Sequence, residues 1–223
     1  MKISCIVPVY NEWERVDSVL SVLVGHKLID EVIVVNDGST DNSEEILKKV
    51  QGINLISYPK NSGKSHAVKL GIEAAKNEWI VTVDSDLVGL KSENIEALIM
   101  PVEKGIAEMS MTLRKNSLWI FKVFGIDFVS GERVFSKKII GDLAQMDQLP
   151  GFGLETFLNE IIVRSKMKIA VVDWVNVITP RKSVKFGVCA GVKGDFKMVL
   201  QIISVVGFFG MIRQFFKMRA LKV

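Results

Sequence analysis

Cysteine is nearly absent from the 223 residues: Cys5 sits in an apolar run and Cys189 beside glycines. Neither has the spacing of a disulfide framework or a thiolate metal site, so both are expected to be buried or incidental thiols. No Gly-x-Gly-x-x-Gly follows the first apolar run, which counts against a nicotinamide or flavin dinucleotide fold. The formal net charge of +4 is too small to argue for a nucleic acid partner. Met1-Lys2-Ile3-Ser4 runs straight into a strand pattern, without a charged-then-apolar leader, and a cytoplasmic, reducing location is expected. Internal repeats, low-complexity segments and a clear interdomain linker are also missing. What remains is 48% hydrophobic and 24% charged, a balance that suits a globular domain with a sizeable core.

The first ninety residues alternate between two patterns. Ile3 to Val9, Glu31 to Asn36, Asn54 to Tyr58 and Trp79 to Asp84 read as strands. Arg15 to Val24, Ser43 to Val50 and Ser65 to Lys76 read as the helices between them. Continuous Val/Ile runs alternating with helices predict an α/β fold with a parallel sheet covered on both faces. Beyond these, Asn94 to Glu103 and Leu154 to Lys166 have helical periodicity, and so do residues 195–218. Ala107 to Leu113, Asp127 to Phe135 and Ile169 to Ile178 are expected as strands.

Polar motifs stand where the early strands end, which is where open α/β sheets bind ligands. Asp84-Ser85-Asp86 closes the fourth strand. Alternation along an extended chain lets Asp84 and Asp86 face one way, and paired carboxylates suit a hard divalent ion. Pro8-Val9-Tyr10-Asn11-Glu12 closes the first strand and Asn36-Asp37-Gly38-Ser39-Thr40-Asp41 the second. Asp41 with Glu44 has capping-box spacing, so it is as well explained by structure as by function, whereas Asp37 has no such structural excuse. Asn61-Ser62-Gly63-Lys64-Ser65 invites a phosphate-loop reading, but position 58 is Tyr58 and the Walker spacing fails. A glycine turn entering a helix survives, with N–H groups able to face an anion.

This ordered set resembles the family 2 glycosyltransferases, inverting enzymes of GT-A fold that use nucleotide-sugar donors. The resemblance is strong over residues 1–90, moderate over 108–187 and weak beyond. It implies that Asp84 and Asp86 hold Mg²⁺ or Mn²⁺ against the donor diphosphate, with Asp86 central to catalysis. It places Pro8, Val9, Tyr10, Glu12, Asp37, Gly63, Lys64, Asp84 and Ser85 around the nucleotide sugar, and favours UDP over GDP. The implied division is a domain over 1–190, with a donor half at 1–90 and an acceptor half at 91–190, and a helical tail at 191–223.

The acceptor side is less fully written. Ser130-Gly131-Glu132-Arg133 resembles a segment of polyprenyl-phosphate sugar transferases, which makes Arg133 a candidate phosphate clamp. Arg181 and Lys185 stand in a basic loop similar to one near the acceptor phosphate of dolichol-phosphate mannose synthases. Glu155 falls where hydroxyl-glycosylating relatives keep a general base, although its place at a helix start is explained equally well by the helix dipole. A polyprenyl phosphate is the expected acceptor, with a glycan or lipid hydroxyl served by Glu155 as the alternative. A nucleotidyltransferase would want a glycine-rich basic loop after the first strand. A non-catalytic nucleotide-sugar module would tolerate loss of the metal carboxylates. Neither fits as well.

Met198 to Ile212 carries no charge but as a helix would span about 22 Å, short of the roughly 30 Å hydrocarbon core. Basic residues follow it, and the segment is expected to lie on an anionic membrane surface rather than cross it. Docking on the catalytic domain and a contact between two copies in a homo-oligomer are the alternatives.

Overall fold

A computed structural model describes residues 1–149, 153–180 and 207–223. The strands are β1 (Ile3–Val9), β2 (Glu31–Asp37), β3 (Ile53–Tyr58), β4 (Trp79–Thr82), β5 (Met109–Arg114), β6 (Arg133–Ser136) and β7 (Ile169–Trp174). The helices are α1 (Val16–Leu23), α2 (Ser43–Leu47), α3 (Lys64–Ala74), α4 (Ser92–Glu103), α5 (Trp119–Phe124), α6 (Gly153–Ser165) and α7 (Phe208–Ala220).

All seven strands form one sheet in the order β3-β2-β1-β4-β6-β5-β7. The β1–β2, β2–β3, β1–β4 and β5–β7 pairs are parallel, while β6 runs against both β4 and β5. Period-two alternation explains the two cores. Cys5, Val7, Val34 and Val81 pack on the side holding α1 and α4; Ile6, Ile33, Val35 and Ile80 pack with α3, α6 and α7 on the other. With β2 and β3 added on one side of β1 and β4 on the other, the order of strand addition reverses at β1. That opens a crevice at the strands' carboxyl ends.

Two expectations for the second half are corrected. The run from Asp127 is not a strand before Arg133. Ser130 N–H closes a turn on the Asp127 carbonyl, and the Asp127 carboxylate accepts from Ser117 Oγ at 2.6 Å and Val129 N at 3.3 Å. Local side-chain bonds of this kind compete with sheet pairing. β7 stops at Trp174, where Val177 N–H turns back to the Trp174 carbonyl. At the C-terminus α7 packs one face on the domain, as one of the alternatives above has it: Phe215 and Met218 are buried in the core, and Gln214 donates to the Thr156 carbonyl at 3.2 Å. No helix among the described residues is long and apolar enough to cross a membrane. The helical expectation over 195–206, and Cys189, lie outside the described residues.

Candidate active site

The crevice at the carboxyl ends of β1, β2 and β4 is a cleft of about 300 Å³. All nine residues expected around a nucleotide sugar line it, together with Asn61 and Asp86. The motifs are tied together by hydrogen bonds. Asn11, at the end of β1 with a left-handed φ of 55°, receives the Thr40 N–H on its Oδ1 at 2.8 Å. Its own N–H donates to Ser39 Oγ at 3.0 Å. Asp37, at the end of β2, gathers the next loop: Oδ1 accepts from Ser62 N at 2.6 Å, and Oδ2 accepts from Gly63 N and Asn61 Nδ2, each at 2.9 Å. Gly38 lets the loop close, since at its φ of +62° a Cβ would lie 2.5 Å from Asn61 N. Asp41 has a structural role, its Oδ1 accepting from Ser43 N at 2.9 Å.

The floor is a chain of alternating charges. Lys64 Nζ lies 2.7 Å from Asp84 Oδ1 and 2.9 Å from Glu155 Oε1. Burial pushes the Lys64 ammonium down, but Asp84 and Glu155 outweigh it and hold it above the ordinary lysine range. Arg114 Nη1 lies 2.9 Å from Glu132 Oε1 and 3.8 Å from Asp84 Oδ2. Burial acts to raise the Asp84 carboxyl, but the two cations keep it below its usual range. Asp86 has the opposite environment. Burial, then the charges of Asp84, Glu12 and Glu132, push it up to about 7, with Arg114 offsetting only part.

Glu132 is completely buried, taking Thr112 Oγ1 at 2.7 Å and Ser130 Oγ at 2.9 Å in addition to Arg114. Glu155 is 1% exposed, and its Oε2 has no hydrogen-bond partner among the described residues. Gly131 lies against the Lys64–Asp84 pair: a Cβ there would stand 2.5 Å from Lys64 Nζ and 2.7 Å from both Asp84 carboxylate oxygens.

Arg133 is corrected as a phosphate clamp. It is 1% exposed, and its guanidinium is used up on Ser130 O at 2.7 Å, Asn159 Oδ1 at 2.7 Å and Phe128 O at 2.8 Å. Burial pushes it down to about 10. Its work is to tie the 127–132 turn to α6. Replacing it with lysine, which cannot reach three acceptors with a planar fork, should cost about 2–3 kcal/mol in thermal or urea unfolding. Unchanged stability would contradict this role.

The arginine that does face the cleft carboxylates is Arg114, which the sequence reading missed. Its Nε has no hydrogen-bond partner among the described residues, while Nη1 also donates to Thr179 Oγ1 at 2.8 Å. The available signal was its position at the carboxyl end of a strand, the rule that had flagged the other motifs. Arg181 and Lys185 lie outside the described residues.

Comparison with known proteins agrees with this geometry. The model of "Glycosyl transferase family 2" matches residues 4–119. A dolichyl-phosphate beta-glucosyltransferase of Trichomonas vaginalis is 38% identical over 94 residues, covering 36% of this chain and 28% of the relative. A poly-beta-1,6-N-acetyl-D-glucosamine synthase of Staphylococcus epidermidis is 36% identical over 90 residues, covering 39% of this chain and 22% of the relative. This chain therefore spans less than a third of either relative. In fold it is similar to glucosyl-3-phosphoglycerate synthase of Mycobacterium tuberculosis, crystallised with Mn²⁺, UDP and glucosyl-3-phosphoglycerate. The TM-score is 0.71 at 22% identity, covering 92% of this chain and 80% of that one. Its fold is GT-A-like α/β, and the chain belongs to glycosyl transferase family 2.

Proposed function

We propose that this chain is a metal-dependent inverting glycosyltransferase. It moves a sugar from a nucleoside diphosphate sugar, UDP-linked in preference to GDP-linked, to a polyprenyl phosphate. The observation that carries the reading is the convergence of Asp37, Lys64, Asp84 and Asp86 on one cleft at the carboxyl ends of β1, β2 and β4. Asp37 and the Pro8–Glu12 segment orient the nucleotide. Asp37 Oδ1 holds a single loop donor and keeps acceptor capacity for a base N–H.

The residues fit a divalent ion. Asp86 is driven up by burial and by neighbouring carboxylates, an excess of negative charge that a hard cation with oxygen ligands relieves. Asp86 and Asp84 would hold it, and it would neutralise charge building on the departing diphosphate. Lys64 supports the same leaving group with a second positive charge. The acceptor oxygen attacks the anomeric carbon from the face opposite the diphosphate, forming the new C–O bond as the old one breaks. A lipid phosphate is already anionic and loses no proton. Arg114 is the guanidinium available to orient it, in place of Arg133.

The reading with a glycan or lipid hydroxyl as acceptor is favoured by one feature, the unpartnered Oε2 of buried Glu155. In that reaction Glu155 takes the hydroxyl proton as the oxygen attacks. Glu155→Gln separates the two: transfer to a phosphate acceptor should survive it, and transfer to a hydroxyl should fall by about a hundredfold or more. The inverting mechanism itself is tested by the anomeric configuration of the product, where retention would overturn it.

Gly131→Ala probes the charged floor. The new methyl must displace Lys64 from Asp84 and Glu155, because the short Asp84 side chain has little room to yield. Transfer should fall by roughly tenfold to a hundredfold, with a loss of stability as well because the buried Glu155 and the Asp84 carboxylate lose their cation. Wild-type kinetics in this variant would show that the Lys64–Asp84 contact has no part in the reaction.

A further inference from the structure

Two adjoining helices leave large apolar side chains in solvent. On α5, Trp119 is 74% and Val123 68% exposed, four residues apart and so on one side of the helix. On α7, Phe216 is 55% exposed and Ile212, one turn earlier, is exposed as well. The helices meet through Phe124, whose ring stands edge-on to Phe215 at 4.9 Å and to Phe216 at 6.3 Å. The inward residues Phe121, Phe215 and Met218 are buried. Each helix therefore satisfies the core with one face and still offers a second apolar face outward.

The two helices themselves carry charges of one sign, and the acid beside them is Glu160 of α6, paired with Arg213 at 2.8 Å on one flank of α7. Neither α5 nor residues 207–223 contains an acid. Lys122, Lys217 and Arg219 are exposed beside the apolar rows, with the Arg219 guanidinium 5.1 Å above the Phe124 ring. An exposed tryptophan among aliphatic and aromatic side chains, on two helices whose only charged residues are Lys and Arg, matches the interface of an anionic bilayer: rings at headgroup depth, cations on phosphates. A protein partner would have to supply an acidic rim around an apolar centre.

We infer that the α5–α7 face is a docking surface for an anionic membrane leaflet. Its position gives the docking a purpose. α5 begins five residues after Arg114, and the intervening segment is pinned beside the cleft by Asn116 Nδ2 donating to the Thr179 carbonyl at 2.6 Å. Docking there would bring a lipid-borne phosphate to the Arg114 side of the cleft. That purpose rests on the lipid-phosphate reading above, whereas the binding itself does not.

The test is sedimentation of the protein with phosphatidylcholine vesicles, with and without phosphatidylglycerol, in the absence of donor, metal and acceptor. Binding is expected to the anionic vesicles and to be lost at high salt. Trp119→Ser and Phe216→Ser should each weaken it by roughly tenfold, with thermal unfolding unchanged in Trp119→Ser and slightly lowered in Phe216→Ser, whose ring also touches Phe124 and Phe215. Ile106→Ser, at an exposed apolar residue on another part of the surface, should leave it unchanged. Brominated lipid should quench wild-type fluorescence more than that of Trp119→Phe. Absence of vesicle binding, equal binding by Trp119→Ser, or a wild-type dimer that Trp119→Ser dissociates would each overturn the inference. Loss of vesicle binding with metal-dependent nucleotide release intact would remove the membrane surface and leave the transfer reading standing.

Discussion

Asp86→Ala should lower sugar transfer by at least about a hundredfold while leaving the fold intact. Asp86 is an electrostatic burden on the fold, pressed by burial and by the charges of Asp84, Glu12 and Glu132. Removing it relieves that strain, so the variant should unfold at an equal or higher temperature than wild type. Mn²⁺ should raise the unfolding temperature of wild type and not of the variant. Retained transfer would remove the metal reading.

The same carboxyl makes a prediction about pH. Its folded value of about 7 lies above the ordinary 3.8, so the folded state binds the proton more tightly than the unfolded one. The stability this contributes is fully present below the ordinary value and lost as pH rises through 7. Mn²⁺ must displace that proton, so its apparent affinity should rise by roughly tenfold per pH unit below 7 and then level off. Asp86→Asn should flatten both trends. Metal affinity independent of pH between 5 and 8 would contradict the assignment.

Asp37→Asn should produce a different loss, in which stability and donor binding fail together. Asp37 is buried and accepts three donors from the 61–63 loop. An amide can offer an oxygen to only one side of that set. Its NH₂ would face either Ser62 N–H or the Gly63 N–H and Asn61 amide pair. Hydrogen bonds to a charged group are worth about 1.5–3 kcal/mol each, so a stability loss of about 2–4 kcal/mol is expected. The loop also carries Lys64, so KM for the donor should rise as well. A variant of normal stability with only a changed preference among nucleotides would mean that Asp37 reads the base and does not hold the loop.

The two halves of the chain differ in how openly they declare themselves. In the first half, continuous runs such as Glu31–Asn36 are buried on both faces and can be little else than parallel strands. Their polar ends fall at the ligand edge by topology, which is why Asp37, Asp84 and Asp86 were legible. The second half relies on contacts remote in sequence. Whether Glu132 or Arg133 faces the cleft depends on where β6 begins, because one step of register exchanges the faces. The turn closed by Asp127 and Ser117 sets that start, and Arg133 was assigned to the wrong side. The apolar residues of α7 spread around more than one face, and sequence alone did not show that Phe215 and Met218 turn inward while Phe216 turns out. The six residues of α5 are too few for a periodicity to register.

The most direct test of the central claim is nucleoside diphosphate release by the purified chain. It should be followed across UDP- and GDP-sugars, with and without Mn²⁺ and a short-chain polyprenyl phosphate. The account predicts release that requires the metal, one particular sugar nucleotide and the lipid phosphate together. Release unaffected by chelation of the metal, or retained in full by Asp86→Ala, would contradict it.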